Sequence, residues 1–269
     1  MSASSLPQYD LCFADGSRWV IAAADALAAV TVERLAAVMM LPAHTAGSRR
    51  LWVTADETIV FPAGDAVYTL PPLPPHLQDY VYFTGVSLAI ARQAQTNGAV
   101  LLHGALAAYE QAGGVILAAS GGTGKTTASG RFPPPWRSLC DDTTLVVCDA
   151  AGQFWAHPWP TWSRFLDDGV GGVWDTLHGV PLRALFFLKR CESDRVEPVG
   201  RGQAVTLLVQ TAEQACRLMD RDQPIEVRRA AWLERFDNLR ALAQAIPTFV
   251  LHISLEGAFW LEIEKAIHD

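Results

Sequence analysis

At 269 residues, half of them hydrophobic, the chain can build one large domain or two modest ones around a sizeable core. It carries 28 acidic against 21 basic residues, a net charge of −7, and no Lys/Arg run longer than two. That balance argues against nucleic acid or an anionic membrane as the main partner. Five scattered cysteines without a CxxC pair, and seven histidines without ligand spacing, read as reduced thiols and no zinc site.

Residues 1–15 lack a basic stretch followed by an apolar one, so no secretory leader is expected and the expected compartment is the cytoplasm. No apolar run approaches the ~20 residues that cross a bilayer. Asp15-Gly16, between Tyr9–Phe13 and Trp19–Ala22, predicts a hairpin. Ala24 to Met40 has helical spacing, and Leu51–Thr54 and Thr58–Phe61 read as short strands. Pro71-Pro72-Leu73-Pro74-Pro75 is a stiff spacer that divides an N-terminal α+β region, 1–75, from a larger unit, 76–269. A helix is expected from Leu77 to about Gln95, stopped by Asn97-Gly98. Val100–Ala107 and Gly114–Ala119 are apolar runs joined by a polar turn, and Thr143–Val147 and Leu182–Leu188 are further strands. Gln203–Met219 and Val227–Ile246 are helical, Thr248–Ile253 is a strand, and Ala258–Ile267 is a closing helix. The fold class is mixed α/β.

The chemistry concentrates after the second apolar run. Val115–Ala119 has the length of a buried strand and ends abruptly in Ser120-Gly121-Gly122-Thr123-Gly124-Lys125-Thr126-Thr127. A strand, a glycine-rich loop and a helix start are what a phosphate cradle requires, because the glycines let successive backbone N–H groups point into one concavity. Lys125 is placed to reach phosphates as a point charge and Thr126 to hold Mg²⁺. Ala119 stands where the strict pattern has its first glycine. The plainer alternative is a glycine-rich turn followed by a chance Gly-Lys-Thr. About fifteen residues further on, Asp141-Asp142 opens an apolar strand. Successive strand residues face opposite ways, so two carboxylates there can divide metal and acceptor duties. An exposed loop pair that merely begins a strand is the alternative.

His103-Gly104, the strand Val115–Ala119, the loop through Thr126, and Asp141-Asp142 together resemble, in order and spacing, the catalytic domain of the HPr serine kinase family. That domain shares its P-loop core with phosphoenolpyruvate carboxykinase. Trp159-Pro160-Thr161-Trp162-Ser163-Arg164-Phe165 and Asp194-Arg195-Val196-Glu197 look more closely like the HPr-kinase-like proteins of SynChlorMet gene cassettes. The kinase-like resemblance covers roughly residues 99 to 210. It implies that Ser120 through Thr127 bind ATP, that Thr126 holds Mg²⁺ with Asp141 as a further metal ligand or a lysine partner, that Asp142 is the catalytic base, and that His103 lies near the phosphates. Where the family has a Glu-x-Arg-Gly-x-Gly signature, this chain has Leu166-Asp167-Asp168-Gly169-Val170-Gly171. Asp168 in place of the arginine predicts a kinase without the phosphate-driven reverse reaction. Arg164 and Arg183 are the nearest substitutes, and Asp167 a further candidate for Mg²⁺.

The resemblance thus implies a kinase acting on a Ser or Thr hydroxyl of a small protein or ribosomally made peptide. Two rivals stay open: an ATP-binding accessory or sensor subunit, and a small-metabolite kinase. The hexamers of HPr kinases make a homo-oligomer an open expectation. The cluster Phe154, Trp155, Trp159, Trp162, Phe165 reads as packing of a β-rich edge, with a peptide groove as the sharper reading. Arg228 and Arg229 read as a solvated helix face.

Overall fold

The computed structural model describes residues 6–45, 49–109, 112–119, 123–166, 169, 171–219 and 223–268. Among these the chain forms thirteen strands and six α-helices, a mixed α/β architecture. The first sheet begins with the hairpin expected at Asp15-Gly16, β1 (Gln8–Cys12) antiparallel to β2 (Arg18–Ala23). Helix α1 (Ala26–Met39) follows, its start fixed by Asp25, whose carboxylate accepts the Ala28 N–H at 2.9 Å. Strand β3 (Arg49–Thr54) pairs parallel to β2, and β4 (Ala66–Thr69) parallel to β3.

The strand expected at Thr58–Phe61 is absent. Asp56 accepts both the Thr58 N–H (2.9 Å) and the Thr58 hydroxyl (2.6 Å), which closes a turn in place of a ladder, and Val60 lies almost wholly in water. After the proline spacer, α2 spans Pro75–Gln95, with Pro75 at the helix start where its missing N–H costs nothing.

The second sheet is built from β5 (Val100–Leu102), β6 (Gly104–Tyr109), β7 (Gly113–Ala118), β8 (Trp136–Cys140), β9 (Thr143–Cys148), β10 (Phe154–Trp159) and β11 (Val180–Arg190). Its order is β5-β9-β10-β11-β7-β6-β8; off this path β13 (Thr248–Ile253) pairs with β11 and β12 (Arg195–Pro198) pairs with β13. The single run expected at Val100–Ala107 is cut at His103, so that β5 stands at one end of this order and β6 next to the other end. β7, β11 and β13 run parallel, so their carboxyl ends share one side, the side on which ligands bind in open α/β sheets.

Alternate residues explain why these strands read as continuous apolar runs: both faces are covered. Leu106, Ile116, Leu185 and Phe187 join the large core that also takes in Leu11, Leu35, Phe83 and Leu208, spanning both sheets. Ala107, Val115, Leu117 and Phe186 face a second cluster closed by α6 (Phe259–His268) through Phe259 and Ile263. Helices α4 (Arg201–Cys216) and α5 (Ile225–Ala245) connect β12 to β13, and Arg228 and Arg229 are exposed on α5, as expected. Among the described residues no helix is long and apolar enough to cross a membrane.

A buried histidine ties the two sheets. The His157 Nε2 atom accepts the Ala14 N–H at 3.1 Å, and its Nδ1–H donates to the Thr176 carbonyl at 2.9 Å. Burial holds this imidazole below its ordinary value of 6.5. Above that value the ring is neutral in both folded and unfolded chains, so its contribution is fully present. Below it the unfolded chain binds the proton first and stability falls. The urea midpoint is therefore expected to drop between pH 7.5 and 5.5, this ring adding at most about 1.4 kcal/mol per pH unit. His157→Gln should flatten the drop; an equally steep fall in that variant would rule the ring out as its source.

Candidate active site

Strand register brings the site together. Leu102 on β5 pairs with Thr144 on β9, and Gly104 on β6 pairs with Ala118 on β7. His103, the single residue between β5 and β6, must therefore lie beside the Asp141-Asp142 connection of β8 and β9 and beside the end of β7. Gly104 makes the crossing possible. A Cβ there would lie 2.6 Å from Ile116 Cγ2 and 3.2 Å from the Leu117 carbonyl. Trp159 pairs with Thr143 at the other edge of β9, which carries Thr161 back to Asp141.

Lys125 opens α3 (Lys125–Ser129), preceded by Gly124 at φ 106°, a left-handed conformation suited to glycine. Its side chain is buried and folds back on the strand end. The ammonium donates to His103 Nε2 at 2.8 Å and to the Ala119 carbonyl at 3.1 Å, both neutral acceptors. Burial lowers its affinity for its proton, opposed by the Asp142 carboxylate. His103 in turn sets Nδ1 3.4 Å from Asp142 Oδ1. Burial and the Lys125 charge hold this ring below its ordinary value, again opposed by Asp142. Lys125, His103 and Asp142 thus form a chain of cation, ring and anion.

Asp141 turns the other way. Its carboxylate accepts the Thr161 hydroxyl at 2.7 Å and Arg164 Nη2 at 2.8 Å. Burial would push this carboxyl up, but those donors outweigh it and hold Asp141 below the usual range. Arg164 sits in the 3-10 turn Trp162–Phe165, its guanidinium over Trp174. The paired acids do diverge, yet it is Asp142 that lies in the field of Lys125, while Asp141 is occupied by Arg164 and Thr161.

Thr126 and Thr127 are exposed on the first turn of α3. Ser120, Gly121, Gly122, Asp167, Asp168 and Val170 lie outside the described residues. Of the two arginines considered as substitutes for the signature residue, Arg164 reaches the site. Arg183 does not: its Nε donates to the Ala112 carbonyl, at the opposite end of β7 from Lys125. Of the aromatic residues, Phe154, Trp159 and Trp162 are buried and Trp155 and Phe165 half-buried against the same core, Trp162 and Phe165 packing on Phe83 of α2.

The family model described as SynChlorMet cassette protein ScmC matches residues 77–268. The chain belongs to that family. Among curated proteins none matches it. The match begins in α2, so the whole site is family sequence while the first sheet lies outside it.

Two contributors escaped the sequence reading. Thr161 was legible only as part of an aromatic stretch, because its partner depends on the β9–β10 register. Arg190, whose Nε donates to the Thr123 carbonyl at 3.1 Å, ends the apolar run of β11 in a Lys-Arg pair. A basic pair terminating a buried parallel strand was the available signal.

A buried ammonium whose acceptors among the described residues are all neutral costs stability that a ligand can return. Lys125→Met is expected to raise the melting temperature of the ligand-free protein, worth about 0.5–2 kcal/mol, the range common for a single stabilising substitution. A lower melting temperature in calorimetry would show that Lys125 stabilises the fold instead.

Proposed function

We propose that this chain is an HPr-kinase-like phosphotransferase, which binds ATP with Mg²⁺ in the cytoplasm and phosphorylates a Ser or Thr hydroxyl of a small protein or ribosomally made peptide. The observation that carries the reading is the Lys125 ammonium, desolvated just after a glycine-rich stretch of sequence and, among the described residues, paired with no carboxylate directly. Such a cation suits a polyanion, for which phosphates are the matching chemistry. Among the described residues no three His, Cys, Asp or Glu side chains group closely enough to hold a metal. Mg²⁺ binds through one or two protein ligands together with substrate phosphates, and Thr126 and an Asp141-Asp142 carboxylate are the candidates here. When bound, the ion would neutralise charge on the transferring phosphoryl group.

The protein's own part is positioning and proton handling. Lys125 and the loop amides orient the phosphates, and Arg190 holds the loop at Thr123. Asp142, half-exposed and one ring away from Lys125, accepts the proton of the acceptor hydroxyl. The Thr161–Asp141–Arg164 clamp keeps the short β8–β9 connection in the orientation that presents Asp142.

ATP·Mg²⁺ is expected to stabilise the wild type by ~2.7 kcal/mol at 100 times its dissociation constant, and Lys125→Ala to lose that gain. Asp142→Asn should leave nucleotide affinity nearly unchanged while lowering γ-phosphate transfer ~10²–10⁴-fold. The assay pairs calorimetry with radiolabel transfer to peptides encoded beside the gene. Transfer by Asp142→Asn at the wild-type rate would remove Asp142 from catalysis. Tight ATP binding without transfer by the wild type would favour an accessory subunit.

A further inference from the structure

Helix α5 carries a stripe that leaves the core. Ile225, Trp232, Phe236, Leu239 and Ala243 recur at helical spacing and share one face. Leu239 and Ala243 are buried and Phe236 is half-buried, whereas Trp232 is 41% exposed and Ile225 61%. The packing that seats the second half of the helix therefore runs out, and its apolar face continues into water. Trp232 stacks on its own helix neighbour Phe236, ring centroids 5.3 Å apart and 16° from parallel.

Beside this stripe, α4 and α5 leave a shallow concavity rich in arginine. Arg217 enters it from the C-cap of α4, and Arg228 and Arg229 from the start of α5. All three are exposed, and among the described residues none makes an ion pair. Arg235 lines the concavity from a buried position, its Nε donating to Gln95 Oε1 at 3.0 Å. Glu213 is the one acid lining it among the described residues, and Glu226 lies about 100° round the helix from Ile225. Arginines thus outnumber acids here, on a chain whose net charge is −7.

An exposed apolar stripe rimmed by charge marks an interaction surface, and binding energy concentrates on Trp and Arg. We propose that the α4–α5 concavity docks an acidic amphipathic segment of a partner protein, with its apolar side chains on Ile225 and Trp232 and its carboxylates on Arg217, Arg228 and Arg229. Guanidinium groups suit carboxylates because both are planar and pair through two hydrogen bonds. Apolar contacts at i and i+7, with cations at i+3 and i+4, are what an amphipathic segment can follow along a helix. A trough between two helices admits such a segment better than a flat bilayer, and the net negative charge repels an anionic one. The surface stands apart from the Lys125 site, so its test needs neither nucleotide nor catalysis. Helix α4 nevertheless joins the two, because its Thr211 carbonyl accepts the His103 backbone N–H at 3.2 Å.

The test is selection of displayed random peptides, about three helical turns long, on the wild-type protein, then calorimetric titration of synthetic copies. Peptides rich in Asp and Glu, with Leu, Ile or Phe at helical spacing, are expected to be enriched. Arg228→Glu together with Arg229→Glu should weaken their binding roughly tenfold or more, most steeply at low salt, where exposed charges are least screened. Trp232→Ala and Ile225→Ser should each weaken it by a similar factor at every salt concentration. Ile225 is the more exposed of the two, so Ile225→Ser with an unchanged melting temperature reports docking even if Trp232→Ala unfolds. No enrichment, enrichment of neutral or basic peptides, or binding indifferent to these substitutions overturns the proposal. Arginine-dependent binding to phosphatidylserine vesicles, or a dimer in light scattering that Trp232→Ala abolishes, overturns it as well, since another occupant then holds the surface.

Discussion

One costly charge organises the second half of this molecule. An ammonium withdrawn from water needs acceptors held rigidly in place, and Lys125 finds them in a strand-end carbonyl and a ring set between two strands. Neither acceptor could be held by a loose loop. Both are fixed by ladder pairs, Gly104 with Ala118 and Leu102 with Thr144, within a sheet whose strands are covered on both faces. The packing of Leu117 and Phe186 against Phe259 therefore supports the Lys125–His103–Asp142 chain without touching it.

The same geometry gives neighbouring carboxylates different roles. Asp141 and Asp142 occupy the only two positions between β8 and β9, and the chain must turn there between strands at opposite ends of the sheet order. One side chain faces the ring, the other faces Thr161 and Arg164. The pair with Arg164 lies close to the surface, and a pair of that kind adds little to stability. Its weight is geometric: it fixes which carboxylate is presented.

Local pattern was legible where local pattern decided the outcome. The Asp15-Gly16 hairpin, α1, the buried strand before the glycine loop, β13 and α6 all follow from turn chemistry or periodicity within one segment. The misplaced strand near Thr58 failed because a single carboxylate, Asp56, outcompeted the ladder. The break at His103 was invisible because Val100–Ala107 is uniformly apolar, and only pairing with two different partners divides it. Strands β8, β10 and β12 carry Arg, His, Pro or Glu and acquire their conformation from neighbours. Of the site, the residue types and their order were readable. Which aspartate faces the lysine was a matter of register.

The His157 tether has a bearing on how the chain is made. Its hydrogen bond to Ala14 joins residues 143 positions apart, and Thr176 reaches back 137 positions to the Met39 carbonyl. Synthesis runs from the N-terminus, so the first hairpin and helix emerge long before the residues that hold them. Until then the Ala14 amide and the Met39 carbonyl have only water for partners. The sheet made first thus waits for residues 157 and 176 before these ties can close, and a stalled or truncated chain ending before residue 157 lacks both.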